Sequence, residues 1–109
     1  MNYNVKTIPT FERGLKKLAK KYLSLKSEYV SLIISLKENP EQGVYLGNNC
    51  YKIRLAIASK GKGKRGGARV ITNFMITAHT VYLLAIYDKS EKDNLTDREL
   101  KELLKEVPK

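Results

Sequence analysis

A second cysteine is missing, and so is any long hydrophobic run. With Cys50 alone, the chain can form neither an internal disulfide nor a multi-cysteine zinc site. The longest apolar stretch, residues 81–87, falls far below the roughly 20 residues needed to span a bilayer. The opening residues Met1-Asn2-Tyr3-Asn4-Val5 lack the basic-then-hydrophobic pattern of a secretory signal. A cytoplasmic location and no membrane partner are therefore expected. The most telling shortage is local: residues 42–87 contain no Asp or Glu, yet they carry Lys52, Arg54, Lys60, Lys62, Lys64, Arg65 and Arg69. A generic solvated surface mixes both signs. This one reads as an anion-binding face, with phosphate backbones as the best-fitting partner.

What is present suits one folded unit. The chain has 109 residues, of which 42% are hydrophobic and 29% charged, and a net charge of +10. That length predicts a single domain over residues 1–109, and the composition is too apolar for intrinsic disorder. Residues 3–7 form a short extended candidate that ends at Pro9. From Thr10, the expected N-cap, Phe11, Leu15, Leu18, Ala19 and Tyr22 recur at helical spacing. A second helix is expected over 27–38, with Val30, Ile33, Ile34 and Leu36 apolar and Pro40 as its stop. The two helices make a hairpin.

After a turn-prone stretch at 42–49 the period changes to two. Residues 51–57 alternate, so one strand face is buried while the other displays Lys52 and Arg54 about 7 Å apart. Residues 68–76 and 80–87 read as two further strands joined around Thr77-Ala78-His79. Thr96 and Glu99 have capping-box spacing, and Leu100, Leu103, Leu104 and Val107 give the final helix one apolar face. The expected fold class is α+β: an antiparallel sheet with an N-terminal helical hairpin packed on one face, a C-terminal helix, and the basic face left open.

Gly61-Lys62-Gly63-Lys64-Arg65-Gly66 matches the dinucleotide fingerprint letter for letter. The match misleads, because that fingerprint needs a following helix and an acidic residue about 20 positions on, whereas a strand follows here and no acid appears before Asp88. The kinase glycine loop fails because the chain cannot supply the remaining lobe. What remains is a cationic glycine loop over 59–67, between a strand with Lys52 and Arg54 and a strand with Arg69. Of the strand aromatics Tyr51, Phe74, Tyr82 and Tyr87, the last is expected to face outward, where a base could stack.

The missing carboxylates also limit the chemistry. A nuclease with its own metal ions needs clustered acids, so no cofactor or metal is expected. RNA can still be cut, since its 2′-OH attacks the adjacent phosphate. The protein must then hold the nucleotide in line, stabilise the crowded negative charge, and move two protons. Lys and Arg serve the second task. For the proton steps the candidates are Lys52 or another lysine, Tyr87 and Asp88. His79 falls in a predicted turn away from the cation pair, and Cys50 has no supporting His or Asn. Arg69→Ala is expected to remove charge rather than packing.

Three segments together, Cys50-Tyr51-Lys52-Ile53-Arg54-Leu55, the lysine-glycine stretch that ends in Gly67-Ala68-Arg69, and Val81-Tyr82-Leu83-Leu84-Ala85-Ile86-Tyr87-Asp88-Lys89, resemble the RelE/ParE toxin superfamily, closest to its HigB-type RelE-like members. The resemblance spans nearly the whole chain. It implies a toxin of a type II toxin–antitoxin system: a metal-independent, ribosome-dependent endoribonuclease that cleaves mRNA in the A site and is silenced by a cognate antitoxin. By position it implies Lys52 and Arg54 as cations that contact and activate the nucleotide, Arg69 as the transition-state arginine, and Tyr87 with Asp88 in the proton steps. Lys60, Lys62, Lys64, Arg65, Lys89 and Lys92 are the expected RNA and ribosome contacts. Ser90 and Thr96 stand near positions where RelE-type enzymes carry an arginine and a tyrosine. The alternatives are a ParE-like DNA gyrase inhibitor, against which Lys52, Arg54 and Arg69 argue, and a non-catalytic RNA-binding module.

Overall fold

The computed structural model describes residues 2–61, 63–92 and 94–108. β1 (Asn4–Thr7) leads into α1 (Pro9–Lys21), and α2 (Leu25–Glu38) follows after a short turn. Then come β2 (Val44–Gly47), β3 (Cys50–Leu55), a 3-10 turn (Ala58–Lys60), the one-turn helix α3 (Gly63–Gly66), β4 (Ala68–Met75), β5 (Thr80–Asp88) and α4 (Asp97–Leu104). Among the described residues the strands form one sheet in the order β1-β5-β4-β3-β2. β3, β4 and β5 make the expected antiparallel meander. The sheet is nevertheless mixed, not purely antiparallel, because β1 pairs parallel to β5, with Val5 beside Val81 and Thr7 beside Leu83.

α1 begins one residue earlier than its expected cap. Ile8 is the N-cap and Pro9 opens the helix, where its fixed φ fits and its missing N–H is no loss. α1 and α2 bury Phe11, Leu18, Leu25, Leu32 and Leu36 against Ile53, Val70 and Ile86 of the sheet in one hydrophobic core. The apolar stripe of α2 differs from the expected one. Leu25, Leu32 and Leu36 turn inward, whereas Val30 and Ile34 stay 53% and 59% exposed, because the helix starts at Leu25 and its buried face follows that residue's phase.

β2 replaces part of the stretch expected to be irregular. Its hairpin to β3 turns through Asn48 and Asn49, both at positive φ (53° and 58°), as a primed two-residue turn requires. The capping box forms as the spacing predicts: Glu99 N donates to Thr96 Oγ1 at 3.1 Å and Thr96 N donates to Glu99 Oε1 at 2.9 Å.

Strand register fixes which side chains share a face. Directly opposed residues lie on the same face and neighbours along a strand on opposite ones. Ile53, Val70 and Ile86 are aligned, and they face the helical hairpin. Lys52, Ile71 and Ala85 are aligned on the other side. There α4 and its approach cover Ala85, since Thr10, Leu95, Leu103 and Ala85 line one cavity. The second sheet face is therefore not fully open: helices flank both faces, with α4 near Ala85 and the cations one row along.

Candidate functional site

One row of side chains crosses three strands at that end. Arg54 on β3 is the partner of Arg69 on β4, and Arg69 is the partner of Tyr87 on β5. Their side chains share the face of Lys52, which sits one row along. Arg54, Arg65, Arg69 and Lys89 line a cleft of about 200 Å³, and no Asp or Glu among the described residues contributes to that lining. An adjoining hollow shares Arg54 and adds Lys52, Lys64 and Gln42. Like charges directly opposed across an antiparallel pair are destabilising. The fold sets Arg54 directly opposite Arg69, a placement that suits a bound anion.

Arg69 does more than supply charge. It is only 3% exposed. Its Nη1 donates to the carbonyl of Lys64 at 2.9 Å and to that of Ala68 at 3.1 Å, and its Nη2 donates to the carbonyl of Arg65 at 3.1 Å. The guanidinium thus ties α3 to the sheet, which corrects the expectation that Arg69→Ala would leave packing untouched. Gly67 lets the loop return this closely: a Cβ there would lie 2.1 Å from the Leu55 carbonyl. Lys52 Nζ donates to Asn94 Oδ1 at 2.6 Å, a contact that no motif in the sequence announces. Arg54, Lys64 and Arg65 are exposed, Lys89 and Tyr87 half-buried.

Three expected site residues are placed elsewhere. Asp88 follows Tyr87 and so points to the opposite face, where it is wholly buried. Tyr22 donates its hydroxyl to Asp88 Oδ2 at 2.6 Å, the Ser90 amide and hydroxyl donate to Oδ1 at 3.0 and 2.9 Å, and Lys60 forms a direct ion pair with the same carboxylate. Burial raises the Asp88 pKa, but the hydrogen bonds from Lys60, Tyr22 and Ser90 outweigh it and hold the carboxyl well below the ordinary carboxylate range. A group so placed cannot exchange protons with a ligand in the cationic cleft. The Lys60 side chain is 9% exposed, so it is not a surface contact for RNA. Lys92 is paired with Glu99 at the start of α4. Lys62 lies outside the described residues.

The remaining candidates fall as their positions suggest. His79 is at the far end of β4 and β5, in a left-handed turn (φ 50°) and stacked on Tyr3 with ring centres 5.4 Å apart. Cys50 is buried, and burial raises its thiol pKa against a small opposing effect from Asn73. Phe74 and Tyr82 are buried, and Tyr51 packs on Tyr45 while donating to Glu41. Tyr87 is left as the aromatic beside the cations. Among the described residues no three His, Cys, Asp or Glu side chains are grouped to hold a metal ion, and no helix is long and apolar enough to cross a membrane.

Comparison with known proteins fits this geometry. A family model described as the RelE toxin of the RelE/RelB toxin–antitoxin system matches residues 11–109. An arginine-to-alanine double mutant of the E. coli toxin RelE in the free state superposes with a TM-score of 0.62 at 19% identity, covering 99% of this chain and 100% of that one. The intact E. coli RelBE toxin–antitoxin complex gives 0.59 at 16% identity, over 79% of this chain and 95% of that one. The toxin–antitoxin complex RelBE2 of Mycobacterium tuberculosis gives 0.57 at 17% identity, over 81% and 99%. At these identities the superpositions establish a shared fold.

Proposed function

The chain belongs to the RelE toxin family, and from that premise we propose that it is an endoribonuclease that cuts messenger RNA in the ribosomal A site without a metal ion. The observation that carries this reading is the Arg54–Arg69–Tyr87 row, flanked by Arg65 and Lys89. Arg54 and Arg65 neutralise the phosphate and hold the strand in line. Arg69, already fixed by three carbonyls, is preorganised toward the charge that builds up as the 2′-oxygen bonds to phosphorus and the 5′-oxygen departs. Such preorganised donors act without reorganisation during reaction. Tyr87 and Lys52, or another lysine of this face such as Lys64 or Lys89, move the two protons, while Asp88 faces the other way. The products are a 2′,3′-cyclic phosphate and a 5′-hydroxyl end. Metal is not needed, because the attacking oxygen belongs to the substrate.

The partner is a cognate antitoxin, in keeping with the complexes in which similar folds are seen, and the ribosome delivers the message in the cytoplasm. Inducing the protein in bacteria and mapping message 5′ ends tests this. Codon-phased cuts confined to translated messages support the reading. Cuts on untranslated RNA, or induction of the DNA-damage response without cuts, would contradict it.

A further inference from the structure

We propose that the cationic loop is held over the cleft by a bracket on the opposite face of the sheet, in which Tyr22, Ser24, Glu28 and Asp88 are positioning residues for the loop that carries Lys64 and Arg65. The proposal rests on the ribonuclease reading for its consequence, though not for its geometry. Three consecutive residues form the anchored foot of the loop. Ala58 N donates to Glu28 Oε2 at 2.5 Å, Ser59 N donates to Ser24 Oγ at 2.8 Å, and Lys60 pairs with Asp88. The Ser24 amide returns a bond to Ser59 Oγ at 3.3 Å. The α1–α2 junction and the end of β5 together grip one 3-10 turn.

Beyond the foot, Gly61 N donates to the Ala58 carbonyl at 3.0 Å, and Gly61 and Gly63 adopt φ values of +74° and +60° with no neighbour within 4 Å of an added Cβ. The far end of the loop is held as well. There Arg69 binds the carbonyls of Lys64 and Arg65, and Lys89 N donates to the Gly67 carbonyl at 3.0 Å. The exit of β5 therefore governs both ends: Asp88 holds the foot through its side chain, and Lys89 holds the return through its amide while lending its ammonium to the cleft. Burying an ion pair rarely stabilises a fold more than apolar residues of the same volume would. Its gain here is a fixed location. A reacting geometry misplaced by 1 Å loses about a hundredfold in rate, so a foot free to swing would lower turnover with the cleft residues all intact.

The test uses Ser24→Ala/Ser59→Ala, whose sites are at the surface, and Lys60→Met/Asp88→Asn, which removes both buried charges together so that neither is stranded. Single-turnover cleavage of ribosome-bound message is read beside amide exchange over residues 58–67. Each pair is expected to lower kcat tenfold or more with KM within twofold, and to quicken exchange over 58–67 while β3, β4 and β5 stay protected. Lys60→Arg should restore both readouts. Unchanged exchange in the loop, exchange quickened equally everywhere, or a loosened loop with unaltered kcat would each overturn the proposal. If the unaltered protein cuts no message, the ribonuclease reading falls and the exchange data alone decide whether the bracket fixes the loop.

Discussion

Tyr87 and Asp88 are neighbours in the chain, yet they belong to two opposite regimes. On one face, Arg54 and Arg69 oppose each other beside Tyr87 in an open cleft with no carboxylate in its lining among the described residues. On the other, Lys60 and Asp88 neutralise each other in a buried network closed by Tyr22 and Ser90. The first arrangement gathers cations around a cleft that solvent reaches, and the second closes on itself inside the fold. Where a charge sits decides what it is available to bind. Nine-tenths burial of the Lys60 side chain turns one of the loop lysines into architecture.

The contrast breaks most sharply at Lys60. Lys60→Met leaves the buried Asp88 carboxylate with only the longer contact to Lys21 Nζ, at 4.0 Å, as an ion pair among the described residues, which should cost about 3 kcal/mol, a large share of the roughly 5 to 15 kcal/mol that holds a domain together. Denaturant melts should show the loss, and Lys64→Met, on an exposed residue, should show almost none. Arg69→Ala sits between the regimes: it removes transition-state charge and also three carbonyl contacts, so cleavage should fall about 100-fold or more and stability by roughly 2 kcal/mol. Arg69→Lys keeps the charge but cannot span the same carbonyls, and it should recover stability poorly and activity poorly.

A smaller effect separates the faces by pH. The Asp88 carboxyl is held below its ordinary range in the folded state, so the unfolded chain binds a proton first as acid is added. Its contribution is fully present above about pH 4 and is lost as pH falls below that value. Thermal melts of the wild type should steepen their decline there, and Asp88→Asn melts should decline less; equal slopes would remove Asp88 from the network. The smallest change expected is at the cap of α4, where Thr96→Ala should cost about 1 kcal/mol without touching cleavage rate.

Periodicity made much of this legible. The helical hairpin, the three meander strands and the capping box at Thr96 and Glu99 are local patterns, and local patterns are written in short windows of sequence. What the sequence hid is non-local or short. β1 joins the sheet beside β5 across more than 70 residues, and β2 is a four-residue edge strand (Val44–Gly47) with too few positions to show a period. The side taken by α4 depends on how the chain crosses after Asp88, where Asn94 meets Lys52. At the site, Lys52, Arg54 and Arg69 were readable from strand alternation. Asp88 lies away from the cleft for the same reason that Arg54 lies beside it: a period of two sends consecutive residues to opposite faces, so Tyr87 and Asp88 face opposite sides of the sheet.

The central claim is that Arg54 of β3 and Arg69 of β4, beside Tyr87 of β5, carry the chemistry, and Arg54 tests it most directly, being exposed and making no ion pair among the described residues. Arg54→Ala should be measured for single-turnover cleavage of ribosome-bound message and for melting temperature on the same preparation. The account predicts a rate about 100- to 1000-fold lower with a melting temperature equal to or above that of the wild type, since a like-charge opposition has been relieved. An unchanged rate, or a rate that falls only in step with lost stability, would contradict it.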